Sequence, residues 1–232
     1  MPQQRSVDLL NQMTLGQKVG QMCHPPVIIA PDLPLLAFHL AMGRTDSPER
    51  RIFDQHISHF NIYGNPSPAQ IAAKVNRLQA VAATTALSIP LSISSDPLHE
   101  VERGGGIAAF SIEGFSQWPS QLGFAATRDP QLVRRFGAVA AAEYRAVGIT
   151  TALHPMGDLA TEPRWSRNFG TFGSNAALSS GMTLAYMQGF QGDALGPGSV
   201  MTMVKHFPGG GPQLDGRDPH LPSGAEQVLS GG

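Results

Sequence analysis

The chain has 232 residues, enough for one domain with a sizeable core. Its formal net charge of −1 gives no electrostatic case for nucleic acid or an anionic membrane as partner. One cysteine, Cys23, excludes an intrachain disulfide and a cysteine-rich metal site, and 41% hydrophobic residues beside 26 Gly and 19 Pro describe a loop-rich globular chain, not a disordered one.

The N-terminal stretch MPQQRSVDLLNQMTLGQK is polar and lacks the apolar segment of a signal peptide. No apolar run approaches the roughly 20 residues that span a bilayer. The expected location is therefore cytoplasmic. Val7, Leu10, Met13, Val19 and Met22 recur mostly at spacings of three, which predicts a helix over 6–22, with Thr14 and Gln17 spaced as a capping box. His24-Pro25-Pro26 ends it, and 27–50 reads as irregular because Pro31, Pro34 and Pro48 break any period.

A repeating unit follows. His59–Tyr63 reads as a strand closed by Gly64-Asn65-Pro66, and Ser67 with Pro68 starts a helix running to about Ala86. Ile89–Ser95 is the next strand, ending in Asp96-Pro97-Leu98-His99, with a Gly-rich excursion over 104–120. Asp129-Pro130 opens a helix that Gly148 stops. Ile149–His154 is a third strand, 176–191 a further helix, and Ser199–His206 a fourth strand, its apolar run Val200–Val204 reading as buried.

Strand and helix thus alternate four times, which implies parallel strands with crossover helices. Polar residues stand at every strand's C-terminal end: Asn65, Asp96, Asp158, and the pair Lys205 and His206. A doubly wound sheet fits the alternation, but chemistry-bearing residues at successive strand ends favour an α/β barrel. Four units are roughly the first half of a TIM-type (β/α)8 barrel. The expectation is a partial barrel, with residues 1–232 forming the N-terminal part of a longer domain and an open sheet edge prone to self-association.

Several patterns have two readings. Asp96 and His99 could be turn and cap residues or part of a site. Gly104–Gly106 and Gly209–Gly211 match neither the dinucleotide fingerprint nor the Walker pattern, which argues against phosphate binding. Asp96, His99, His154, Asp158, His206 and Asp218 could supply a divalent-metal site, although their spacing fits no ligand motif. Trp118 and Trp165 lie in polar loops, where an exposed indole stacks on a sugar ring or a buried one closes a core. Glu143 reads as a solvated helix residue, or as a partner for Arg145 or a neighbouring loop.

Taken together, MTLGQKVGQM, ISSDPLHE, FSQWP, FAATRDPQLVRRFGAVAAAEYRAVGI, LHPMGDLATEPRWSRNFGTFG and KHFPGGGPQLDGRDPH resemble the N-terminal barrel domain of glycoside hydrolase family 3, over about residues 6–230. The resemblance is to its β-glucosidase-like members. It implies a pocket for the non-reducing terminal sugar at the barrel mouth. By that resemblance, Asp96 takes two sugar hydroxyls, Arg167 binds the far side of the ring, Lys205 and His206 contact the same ring, and Arg217 is a further candidate. The chemistry suits the roles, because a carboxylate accepts hydroxyl protons while Lys and Arg donate to hydroxyl oxygens. Two departures stand out: Gly173-Ser174-Asn175 replaces a common acidic pair, and Trp165-Ser166-Arg167 replaces W-G-R.

The family's nucleophilic aspartate and its general acid/base both come from later positions, so no catalytic carboxylate is expected among these residues. Neither Asp158 nor Asp218 is assigned that role. The resemblance implies an intact enzyme that removes β-linked sugars with retention and needs no cofactor, its substrate a β-linked oligosaccharide or glucoside. Two other readings remain open: a metal-dependent barrel hydrolase built on the His and Asp residues above, and a sugar-binding protein without catalysis.

Overall fold

The computed structural model describes residues 2–29, 46–101, 113–207, 209, 213–218, 222–224 and 226. The Gly104–Gly106 run, Gly210, Gly211 and His220 lie outside them.

Elements follow one another as α1 (Pro2–Gln12), α2 (Leu15–Gly20), β1 (Pro26–Ile28), α3 (Pro48–Asp54), β2 (His59–Tyr63), α4 (Pro68–Ala83), β3 (Ser92–Ser95), α5 (Gln121–Thr127), α6 (Pro130–Ala146), β4 (Thr151–Ala152), α7 (Ala176–Gln191) and β5 (Met201–Thr202). The described strands form one parallel sheet in the order β1-β2-β3-β4-β5. Strictly sequential order is that of a barrel wall, whereas a doubly wound sheet reverses direction partway. The architecture is therefore α/β, a TIM-type barrel wall that the described strands do not close.

Register divides the sheet into two faces. Asn61 pairs with Ser94, Ser94 with Thr151, and Thr151 with Met201, so these side chains share the inner face. Ile62, Ser95, Ala152 and Thr202 form the alternate row. That row faces the helices, because the Thr202 hydroxyl donates to Gln191 Oε1 of α7 at 2.6 Å. Ile71, Val75, Leu78 and Ala82 line the buried side of α4.

Helix starts follow from caps. Thr14 and Gln17 close a capping box on α2, Ser67 and Gln70 close another on α4, and Asp129 accepts from the amides of Gln131 and Leu132 on α6. Asn175, at one of the departures from the family pattern, caps α7 by accepting from the Leu178 amide at 2.9 Å. Helix α6 ends before Gly148, whose φ of +84° and whose 2.6 Å approach of a would-be Cβ to Val75 both require glycine.

Three expectations need correction. The predicted 6–22 helix is two helices, because extended Thr14 starts a new one. Pro26–Ile28 is a strand, at the edge of the sheet among the described strands, a position that tolerates proline. Gln121–Thr127, a stretch left unassigned between the Gly-rich excursion and Asp129, is a helix. Of the run predicted as buried, Val200 is buried, but Met201 is 47% and Met203 42% exposed, since no described residue covers the inner face there and β5 is an edge among the described strands.

Candidate functional site

The C-terminal ends of β3, β4 and β5 place their polar residues together. Lys205 Nζ forms an ion pair with Asp96 Oδ1, joining β5 to β3 across the top of β4. Both side chains are largely buried. Asp96 Oδ2 accepts from Asn61 Nδ2 at 3.2 Å. The loop after β3 is fixed through its backbone as well, because the Asp96 carbonyl accepts from Ser95 Oγ at 2.8 Å and from Tyr144 Oη at 3.0 Å.

Beside this pair, His206 Nδ1 lies 2.9 Å and its amide nitrogen 3.1 Å from Asp158 Oδ2. A carboxylate only accepts, so Nδ1 carries the hydrogen and Nε2 remains for another contact. Asp158 is fully buried in this supporting position. Arg167 lines the same cleft as Lys205, Pro97, Glu100 and Phe169, with Nη2 3.8 Å from Met156 Sδ. That cleft measures about 20 Å³, room for a single water. The described residues thus leave no room there for a larger ligand. The Lys205–His206 and His154–Pro155 peptides at its rim are both cis.

Arg217 is placed elsewhere. Its Nη1 donates to the Ser223 carbonyl at 3.3 Å, its Nη2 lies 4.0 Å from Asp215, and it is not part of the described lining of the cleft. One indole is buried and the other half-buried against the core. Trp165 is 3% exposed, and Trp118 packs on Phe124 and Phe136 while donating to Ser116 Oγ at 2.8 Å. Of the two readings for these residues, the core-closing one holds.

The proposed metal ligands are separated into different pairings. His154 Nδ1 lies 2.6 Å from Tyr186 Oη and its Nε2 3.0 Å from Tyr144 Oη. Tyr144 donates to the Asp96 carbonyl, so it accepts from His154 Nε2–H, and Nδ1 accepts from Tyr186. Burial holds His154 well below the ordinary histidine pKa, aided by nearby Lys205, and raises both tyrosines well above theirs. His99 turns to Glu143 at 2.8 Å, and Glu143 also accepts from the Ser116 amide and hydroxyl. Burial lowers the His99 pKa against the opposing pull of Glu143. Among the described residues no group of three His, Cys, Asp or Glu side chains converges as a metal site would require.

Sequence reasoning missed Asn61, Tyr144, Tyr186 and Gln121. Gln121 clamps Met156 at the rim, accepting from its amide at 2.8 Å and donating to its carbonyl at 3.0 Å. Period two along β2 and β3 could have found Asn61, since Asn61, Ser94 and Asp96 fall on one face.

Residues 14–228 match the glycosyl hydrolase family 3 N-terminal domain. The chain is 44% identical over 229 residues to "Probable beta-glucosidase C" of Aspergillus flavus, covering 98% of this chain and 36% of that protein. It is 40% identical over 220 residues to "Periplasmic beta-glucosidase/beta-xylosidase" of Dickeya chrysanthemi, covering 94% of this chain and 33% of that one. Among solved structures, "Beta-glucoside phosphorylase BglX bound to 2FGlc" aligns with a TM-score of 0.68 at 25% identity, over 93% of this chain and 33% of that chain. The chain spans about a third of the length of the curated relatives it matches.

Proposed function

Because the chain belongs to glycosyl hydrolase family 3 as its N-terminal domain, we propose that it carries the terminal-sugar subsite of a β-glucosidase of its relatives' length. The observation that carries this reading is the Asp96–Lys205 pair, assembled across the sheet from residues 109 apart, with Arg167 and His206 beside it. A carboxylate with spare lone pairs, flanked by an ammonium, a guanidinium and an oriented imidazole, matches the alternating donors and acceptors of a pyranose ring. The names of the relatives support a β-linked glucose, or a similar sugar such as xylose, as the ring held there.

In this reading the described residues hold one ring and favour its distortion toward an oxocarbenium-like geometry, while the nucleophile and acid/base come from further residues of the polypeptide. The 232-residue chain by itself does not turn substrate over. Asp158 serves as the support of His206 and carries no bond-breaking role.

The test is an aryl β-glucoside assay of the protein expressed from the complete reading frame, with the anomer of the first product read by NMR. Release of β-glucose, lost in Asp96→Ala, is the expected result. Turnover by the 232-residue chain alone would overturn the division of labour. No turnover by the full reading frame, with Asp96→Ala indistinguishable from wild type in glucose binding, would overturn the glucosidase reading.

A further inference from the structure

We infer that Asn61, through a hydrogen-bonded chain on the inner face of the sheet, is a positioning residue that aims the Asp96 carboxylate at the sugar. This rests on the terminal-sugar reading of the site and adds to it a residue that no motif marks.

Asn61 of β2 and Ser94 of β3 are register partners on the inner face, and Asp96 lies two residues beyond Ser94 on the same face. All three are buried, at 4%, 0% and 6% exposure. Asp96 Oδ1 faces Lys205, and Oδ2 faces Asn61 Nδ2. An ionised carboxylate offers about four lone-pair sites. With one site on each oxygen occupied inside the protein, one on each is left for a sugar hydroxyl. Lys205 and Asn61 approach from opposite sides of the barrel wall, β5 and β2, and so fix the carboxylate plane between them.

The charge of Asp96 also sets the polarity of everything below it. A carboxylate accepts, so the amide NH2 of Asn61 must face it. Asn61 Oδ1 then faces Ser94, whose hydroxyl donates to it at 2.6 Å. Ser94 Oγ is left to accept, from His24 Nε2 at 2.9 Å. The chain therefore reads His24 Nε2–H to Ser94 Oγ–H to Asn61 Nδ2–H to Asp96, every donor pointing toward the cleft. A carboxylate in place of the Asn61 amide would reverse the last link and set two negative charges against each other in a buried place.

Asn61→Asp tests this because it changes charge and barely changes shape; Asn61→Ala removes the link. In the protein from the complete reading frame, both variants should raise KM for an aryl β-glucoside about tenfold or more with a smaller change in kcat, the pattern of lost ground-state binding. In Asn61→Asp the two carboxylates share a proton at low pH, so its KM penalty should shrink at pH 5 and grow toward pH 8, while that of Asn61→Ala stays level. A merely structural asparagine would lower the melting temperature of both variants and leave the pH profile of KM unmoved, which overturns the inference.

A second readout is independent of activity. The melting deficit of Asn61→Asp relative to wild type should widen as pH rises from 5 to 8, while that of Asn61→Ala stays level. A deficit constant with pH overturns the inference even if the wild-type protein cleaves no glycoside. That last outcome alone would count against the glucosidase reading instead.

Discussion

Lys205 and Asp96 are each other's principal charge partner in a place where neither has much water. Removing one partner of such a pair strands the other charge, a loss of about 3–5 kcal/mol. Lys205→Met should therefore cost about that much in urea unfolding, whereas the paired change Lys205→Met with Asp96→Leu should recover most of it. If the single change cost under about 1 kcal/mol, the pair would be solvated in solution. Asp158 acts differently, holding His206 by two contacts to one oxygen. Asp158→Ala leaves the His206 amide and ring without that acceptor, at about 1–3 kcal/mol. It should also weaken glucose affinity, read by titration calorimetry, in the same direction as His206→Ala and without adding to it, because both act through one imidazole.

Helices α6 and α7 pack with their backbones almost touching, and two glycines make this contact. A Cβ on Gly189 would lie 2.5 Å from the Arg134 carbonyl oxygen and 2.8 Å from Gly137 Cα. These are backbone atoms that cannot turn aside, so Gly189→Ala should destabilise by about 1–3 kcal/mol. On the same helix Gly181 is exposed and meets nothing within 4 Å, so Gly181→Ala should stabilise by about 0.5–1 kcal/mol through helix propensity alone. Opposite signs for two Gly→Ala changes eight residues apart, measured by thermal melts, check the packing. The long helices were legible in the sequence because their start signals are local: Ser67-Pro68, Asp129-Pro130 and Asn175 each sit at the observed N-terminus. Strand β1 was not legible, since three residues that begin on the second proline of a pair carry too little pattern to exceed the turn signal. At the site, Asp96, Lys205 and His206 stood out as polar residues at strand ends, whereas Arg167 was marked by the family resemblance alone. Tyr144, His154 and Tyr186 form their chain across three elements, and one-dimensional spacing holds no trace of that contact.

At the scale of the molecule, the inner face near β5 exposes Met201 and Met203, with Phe207 at 83% beyond them. An uncovered apolar strand edge favours pairing with another chain, so the 232-residue polypeptide should elute from size exclusion larger than a monomer, and Met203→Lys should shift it back. The second global property is sensitivity to acid. Burial lowers the pKa of His24, His59, His99 and, most strongly, His154. Each is neutral in the folded chain at a pH where the unfolded chain, with an ordinary value near 6.5, already binds a proton. Stability is complete above about pH 6.5. It falls as pH drops from there toward each lowered value, by up to about 1.4 kcal/mol per pH unit for each histidine that stays neutral. Carboxylates add little in this window: Glu162, drawn down to about 2 by Arg164, releases its contribution only at far lower pH. His154→Gln isolates the largest histidine contribution, because a glutamine amide can accept from Tyr186 and donate to Tyr144 without titrating. Between pH 6.5 and 5 the variant should lose less than wild type in urea unfolding, by up to about 1.6 kcal/mol, whatever its stability at pH 7. Parallel pH profiles would mean that His154 takes up its proton in the folded state, and that the Tyr186–His154–Tyr144 chain does not hold the direction derived for it.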